Sequence, residues 1–227
     1  MSTRSLVLTP DLLLGAYRLG LFPMAQTRAS RTLHFLDPDS RGVLPLEGFH
    51  LPRRLARTLR SGAFTVTSDR DFRGVIAGCA EAREDRPETW INAEIEQLFC
   101  ELHDMGYAHS IETWQGGALV GGLYGLALGG AYFGESMFSR ARDASKLALV
   151  HLVMRLRRGG FSLLDTQFLT PHLARFGTVE VPRRRYQDLL ADALDRKAPW
   201  IAELDAAAMA EEIAALRLSP ASLKETS

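Results

Sequence analysis

The chain has 227 residues, 46% of them hydrophobic, with 27 basic and 27 acidic side chains and a formal net charge of zero. That length suits one large domain or two smaller ones, the apolar fraction supplies a packed core, and a disordered or fibrous chain is excluded. Zero net charge argues against a generic polyanion binder but leaves room for local basic patches; Cys79 and Cys100 are too few for a disulfide framework or zinc cluster, and no apolar run could span a bilayer, so a cytoplasmic protein with no membrane partner is expected.

Thr9 to Leu19 predicts a first helix, capped by Thr9, with Pro10 in the tolerant first turn and Gly20 at its end. Leu21-Phe22-Pro23-Met24 leads into a polar loop. Leu33 to Leu36 is a short strand closed by the Asp37-Pro38-Asp39-Ser40 turn, and Gly42 to Pro45 is extended. A basic helix follows from Leu51. Its Arg53, Arg57 and Arg60 share a face, with Arg54 beside them and Leu51, Leu55 and Leu59 opposite; no acid falls between Glu47 and Asp69. A solvated face and a phosphate-tracking patch are both open for it, since arginine suits phosphate geometry.

Phe64 to Thr67 alternates as a strand, Asp71 to Arg83 reads as a helix, Glu84 to Glu88 as a polar link, and Asn92 to Met105 as an amphipathic helix ended by Gly106. The pattern then changes. Ala108–Trp114, Ala118–Leu128 and Ala131–Met137 form three strands joined by Gln115-Gly116-Gly117 and Gly129-Gly130. A helix over Asp143–Arg158, a buried strand over Phe161–Asp165, a brief helix from Thr170 to Phe176 and a helix from Pro182 complete the core. Glu203 to Leu216 is a further helix, on the surface or fraying. The fold class expected is α+β. Residues 89–227 form an acyltransferase-like (GNAT-like) domain with an antiparallel-rich mixed sheet and flanking helices, and residues 1–88 a smaller mixed domain carrying the arginine helix.

Gly134 to Lys146 brings an acid, hydroxyls and cations from a strand into a loop that opens a helix, where anions are favoured. Equally, Ser139 and Asp143 could cap that helix with Arg140 and Arg142 solvated, and Glu135 could be a surface carboxylate paired with either arginine. The loop holds no glycine, which disfavours a coenzyme pyrophosphate site. Asp165 and Gln167, two apart in extended backbone, would face one space unless they are plain strand-end caps. A carboxylate can take a proton, whereas an amide can only orient. Trp90, Phe35, Leu123, Leu149 and Leu152 are core candidates. Arg183 and Arg184 open a helix against its dipole, which suggests an anionic partner. No metal-ligand spacing, P-loop, dinucleotide fingerprint or nucleophile elbow occurs.

Several of these segments carry a resemblance. Gly134-Glu135-Ser136-Met137-Phe138-Ser139-Arg140, Ala144-Ser145-Lys146, Gly121 to Gly125, His109-Ser110-Ile111-Glu112, Leu164 to Gln167, Val181 to Arg184 and Gly15 to Pro23 resemble signatures of the bacterial leucyl/phenylalanyl-tRNA–protein transferases, over about residues 9 to 195. The resemblance implies transfer of leucine or phenylalanine, less often methionine, from tRNA to the α-amine of proteins beginning with Arg or Lys, marking them for N-end rule degradation. It implies no metal and no coenzyme, with Leu-tRNA, Phe-tRNA and the acceptor proteins as partners of a monomer. By the same resemblance Asp165 and Gln167 are the catalytic pair, Asp165 polarising Gln167, and Glu135 is the acid at the mouth of the site. Trp90, Leu123, Leu149 and Leu152 line the aminoacyl pocket, with Ser136 beside them and Phe35 a looser match. The tRNA is expected to touch Arg53, Arg54, Arg57, Arg60, Arg140, Lys146, Arg183 and Arg184.

Overall fold

Glycine turns organise the centre of the molecule. Gly116, Gly117 and Gly129 all take positive φ, which lets strands fold back on themselves at little steric cost. The computed structural model describes residues 8–82 and 87–218. In chain order the elements are α1 (Pro10–Arg18), β1 (Phe22–Ala25), β2 (Leu33–Leu36), β3 (Ser40–Val43), α2 (Arg53–Arg60), β4 (Thr65–Ser68), α3 (Phe72–Ala80) and α4 (Ala93–Asp104). Then follow β5 (Ala108–Gln115), β6 (Ala118–Leu128), β7 (Ala131–Ser139), α5 (Ala144–Arg158), β8 (Leu163–Gln167), α6 (Pro171–Ala174), β9 (Val179–Pro182), α7 (Arg183–Leu194) and α8 (Ala206–Leu218).

Seven strands form one mixed sheet in the order β4-β5-β6-β7-β8-β3-β9, and β1-β2 is a separate hairpin. Every neighbouring pair is antiparallel except β7 and β8, which α5 joins by a crossover, as a parallel pair requires. The first 88 residues contribute two strands to this sheet. β3 and β4, from the first 88 residues, pair with β8, β9 and β5 inside the larger sheet. Strand edges expose unpaired backbone groups, and these N-terminal strands satisfy them.

Helices cover both faces of the sheet. Tyr17, Val75, Phe99 and Tyr186 pack with Tyr124 and Phe133 on one face. On the other, α5 is buried from Ala144 to Leu156 except at Lys146, and it packs with Leu55, Ile213, Leu123 and Leu164. Thus α8, expected on the surface or fraying, is anchored through Leu216, at 0% exposure. Helix α3 ends at Ala80 rather than Arg83; Arg83 and residues 84–86 of the expected polar link lie outside the described residues. Among the described residues no helix is long and apolar enough to cross a membrane.

Two adjacent glycines on β6 set helix distance. A Cβ on Gly121 would lie 2.6 Å from that of Ala144 in α5, and one on Gly122 would lie 3.0 Å from a Val75 methyl in α3. Gly121→Val should therefore lift the start of α5 and cost about 1–3 kcal/mol by overpacking. Denaturant unfolding checks this, and an unchanged midpoint would contradict so close an approach.

Candidate active site

An apolar cavity of about 380 Å³ opens between the sheet, α5 and α6. Leu149 and Leu152, three apart on one face of α5, form a wall with Leu123, Met137 and Leu164. Trp90 and Ser136 also line it, as expected, and Glu135 and Gln167 supply its polar end. Phe35 does not. It sits on β2 opposite Pro23 and is 40% exposed, while Phe22 of β1 faces the cavity and packs edge-on against Phe168. The strand β1 was not anticipated, so the hairpin register that sends Phe22 inward and Phe35 outward was invisible in the sequence.

Glu135 owes its place to a bulge. Tyr124 pairs with Ser136 and Gly125 with Gly134, which leaves Glu135 as the extra residue of β7. A bulge re-aims a side chain, and this one places a carboxylate within the fold. Its Oε1 accepts bonds from the Tyr17 hydroxyl at 2.8 Å and the Gln167 amide Nε2 at 3.0 Å. Burial pushes the Glu135 pKa up to about 8; the Asp165 charge adds to the rise, while the Tyr17 bond, the Arg41 charge and the Gln167 bond oppose it. Glu135 is thus no surface carboxylate paired with Arg140 or Arg142.

Gln167 lies at the end of β8 with φ +57, a left-handed conformation uncommon outside glycine. That turn breaks the two-residue alternation, so Asp165 and Gln167 do not share a space. Asp165 is wholly buried and is absent from the cavity lining. Its Oδ1 accepts the backbone N–H of Gln167 at 2.8 Å. The rest of the carboxylate is held by Arg41, with Nε at 3.0 and 3.1 Å and Nη2 at 2.7 Å, and by the Tyr186 hydroxyl at 2.7 Å. Arg41 lies over the rings of Phe22 and Tyr186, each 4.5 Å away, and donates Nη1 to the Gly20 carbonyl at 2.8 Å. Burial lowers the Arg41 pKa, but the Asp165 charge and bonds outweigh it and the net shift is upward. Asp165 therefore acts on the Gln167 main chain; the side-chain amide is bonded by Glu135. Tyr17, Arg41 and Tyr186 were missed as site residues, because Asp165 and Arg41 lie 124 positions apart and no local pattern links them.

The expected cations divide. Arg54 and Lys146 line a groove with Arg175 and His172, and His172 also lines the cavity, so the two adjoin. Burial, then the charges of Lys146 and Arg175, lower the His172 pKa. Asp143 binds Lys146 at 2.5 Å and, in left-handed conformation, makes no side-chain cap; Ser139 Oγ instead accepts the Ser145 N–H at 3.2 Å. Arg53, Arg57 and Arg60 line a separate groove. Arg140 bonds Glu81 at 2.9 Å and the Leu119 carbonyl at 3.2 Å, away from the cavity lining. Arg183 clamps the 37–39 turn through Asp37 at 3.2 Å and Asp39 at 2.8 Å. Arg184 is exposed on the same helix turn and lines neither groove.

Removing one partner of a buried pair leaves a charge uncompensated. Arg41→Met should cost about 3–5 kcal/mol of stability, read by denaturant unfolding. A loss under about 1 kcal/mol would contradict the pairing described.

The profile described as leucyl/phenylalanyl-tRNA protein transferase matches residues 43–191. A leucyl/phenylalanyl-tRNA–protein transferase of Paramagnetospirillum magneticum is 62% identical over 187 residues, covering 82% of this chain and 90% of the relative. One from Rhodopseudomonas palustris is 58% identical over 195 residues, covering 86% and 87%. One from Phenylobacterium zucineum is 57% identical over 190 residues, covering 84% and 86%. With a profile spanning most of the chain and relatives this similar, the protein belongs to the leucyl/phenylalanyl-tRNA–protein transferase family.

Proposed function

We propose that the protein transfers leucine or phenylalanine, and less readily methionine, from Leu-tRNA or Phe-tRNA to the α-amine of proteins beginning with Arg or Lys, marking them for N-end rule degradation in the cytoplasm. It acts as a monomer. The observation that carries this reading is the pairing of an apolar cavity with a buried Glu135–Gln167 end. The acyltransferase-like assignment of 89–227 is supported by the order β5-β6-β7-α5-β8 and the parallel β7–β8 pair.

The aminoacyl side chain enters between Leu123, Leu149 and Leu152, with Trp90 and Ser136 at the lining. Such a wall favours apolar side chains over polar ones and separates near isosteres poorly. The ester then lies toward Glu135 and Gln167. An α-amine with pKa about 8 is partly neutral at cytoplasmic pH, and an aminoacyl ester is already activated. The amine attacks the ester carbonyl and forms the new C–N bond. Its proton passes to ionised Glu135, whose Oε2 receives no hydrogen bond among the described residues, and from there to the 3′ oxygen as the C–O bond breaks. Gln167 orients Glu135 and the reacting groups. Asp165 holds Gln167 in its strained conformation and is a positioning residue. Holding both substrates together supplies roughly 7 kcal/mol or more in ideal cases, so proton transfer need add little.

Arg54 and Lys146, joined by Arg175 and His172, lie where the last phosphates of the tRNA would leave the cavity, and Arg53, Arg57 and Arg60 lie beyond. Arg140 and Arg183 line neither of these two grooves and are left out of this surface.

Purified protein should move labelled leucine from Leu-tRNA to an Arg-starting peptide, and Gln167→Ala should lower kcat at least about tenfold with the tRNA KM nearly unchanged. No transfer by the unaltered protein would end the proposal, and an effect of Gln167→Ala on KM alone would remove Gln167 from the chemistry. A second expectation concerns pH. Glu135 becomes a carboxylate only as pH rises through about 8, and the acceptor amine deprotonates in the same range. Below that range log kcat/KM should rise with a slope near two, falling to about one in Glu135→Gln together with a loss of about 10²–10⁴ in rate. Identical slopes in both proteins would show that Glu135 takes no proton.

A further inference from the structure

Helix α8 lies outside the segment matched by the family profile, which ends at residue 191. Its charges are sorted by direction. Glu212 bonds Arg157 at 2.9 Å and Glu211 bonds Arg158 at 3.1 Å, so both acids turn toward the last turn of α5. Buried Leu216 and Ile213 fix the helix on the core. Arg217 turns the other way. It joins Arg53, Arg57 and Arg60 around a groove of about 430 Å³, lined otherwise by Ala56.

Four guanidinium groups thus line one groove, and among the described residues no carboxylate lines it. Their mutual repulsion opposes the docking that brings them together, and a polyanion relieves it. The neutral balance of the whole chain, 27 cations against 27 anions, makes this a focused feature rather than a general surplus. Position selects the occupant. Helix α2 sends Arg54 into the groove that adjoins the cavity through His172, and its other arginines into the groove shared with Arg217. A chain of phosphates leaving the cavity therefore meets Arg54, Lys146 and Arg175, and then crosses α2 to the four arginines. Arginine matches phosphate geometry through its planar fork.

We propose that α8 completes the tRNA-binding surface, with Arg217, Arg53, Arg57 and Arg60 seating the phosphate backbone of the strand that leads from the aminoacylated end. This rests on the tRNA reading above and extends it to a helix beyond the family profile. The test is Arg217→Glu, with Arg217→Ala and Arg217→Lys beside it, assayed for leucine transfer across a salt series. Arg217→Glu should raise the KM for Leu-tRNA about fivefold or more at low salt. Arg217→Ala should reduce the slope of log KM against log salt by about 0.7–0.9, the share of one phosphate contact, and Arg217→Lys should retain it. The KM for the acceptor peptide should not change, and the effect should vanish with 3′-leucyl-adenosine, which has no strand to contact. An unaltered tRNA KM and salt slope in Arg217→Glu overturns the proposal, and so does a shift in the peptide KM in place of the tRNA KM. Failure of the unaltered protein to use Leu-tRNA at all would count instead against the transfer reading itself.

Discussion

The structure turns on the buried contact between Arg41 and Asp165. Both side chains are almost wholly removed from water, at 1% and 0% exposure. Burying two charges is costly, and it is offset only when geometry is close and the remaining bonding capacity is filled. Here it is filled. The carboxylate accepts from the guanidinium, from Tyr186 and from the Gln167 backbone, while the guanidinium also bonds the Gly20 carbonyl and lies between two rings. One ion pair thereby ties β3, β8, α7 and the turn after α1 to each other. It also holds Gln167 in a conformation that an unconstrained chain would leave.

From that fixed point the cavity acquires a polar end. Gln167 meets Glu135, the bulge in β7 brings Glu135 inward, and Tyr17 secures it from α1. The carboxylates therefore divide their roles by environment. Asp165 is saturated with donors and serves the backbone, whereas Glu135 has an Oε2 that receives no hydrogen bond among the described residues and a pKa pushed up to about 8 by burial. The apolar wall depends on β6 in turn, because Gly121 lets the start of α5 approach the sheet and sets where Leu149 and Leu152 stand.

Much of this was legible in the sequence where the signals are local. The glycine turns marked β5, β6 and β7, and the helical spacing of α5 and of the α2 arginines was read directly. Trp90, Leu123, Leu149, Leu152, Glu135 and Gln167 do converge on one cavity. What escaped depends on contacts distant along the chain. β1 and β9 are four residues long, each contains a proline, and sheet edges or hairpin partners define them. The place of β3 and β4 in the larger sheet was not legible, because they find their partners more than 40 residues away. Alternation predicted a shared direction for Asp165 and Gln167, and one positive φ undid it. Arg140 and Arg183 looked free because the acids that hold them come from other elements.

The aminoacyl group is proposed to sit in the apolar cavity with its carbonyl presented to Glu135 and Gln167. The most direct test is a crystal structure with 3′-leucylamido-adenosine, an amide that cannot be transferred. The leucyl side chain should lie against Leu149 and Leu152, its carbonyl within hydrogen-bond reach of the Glu135–Gln167 pair, and Asp165 should remain bound to Arg41. A leucyl group bound outside this cavity, or Asp165 turned away from Arg41 to meet the ligand, would contradict it.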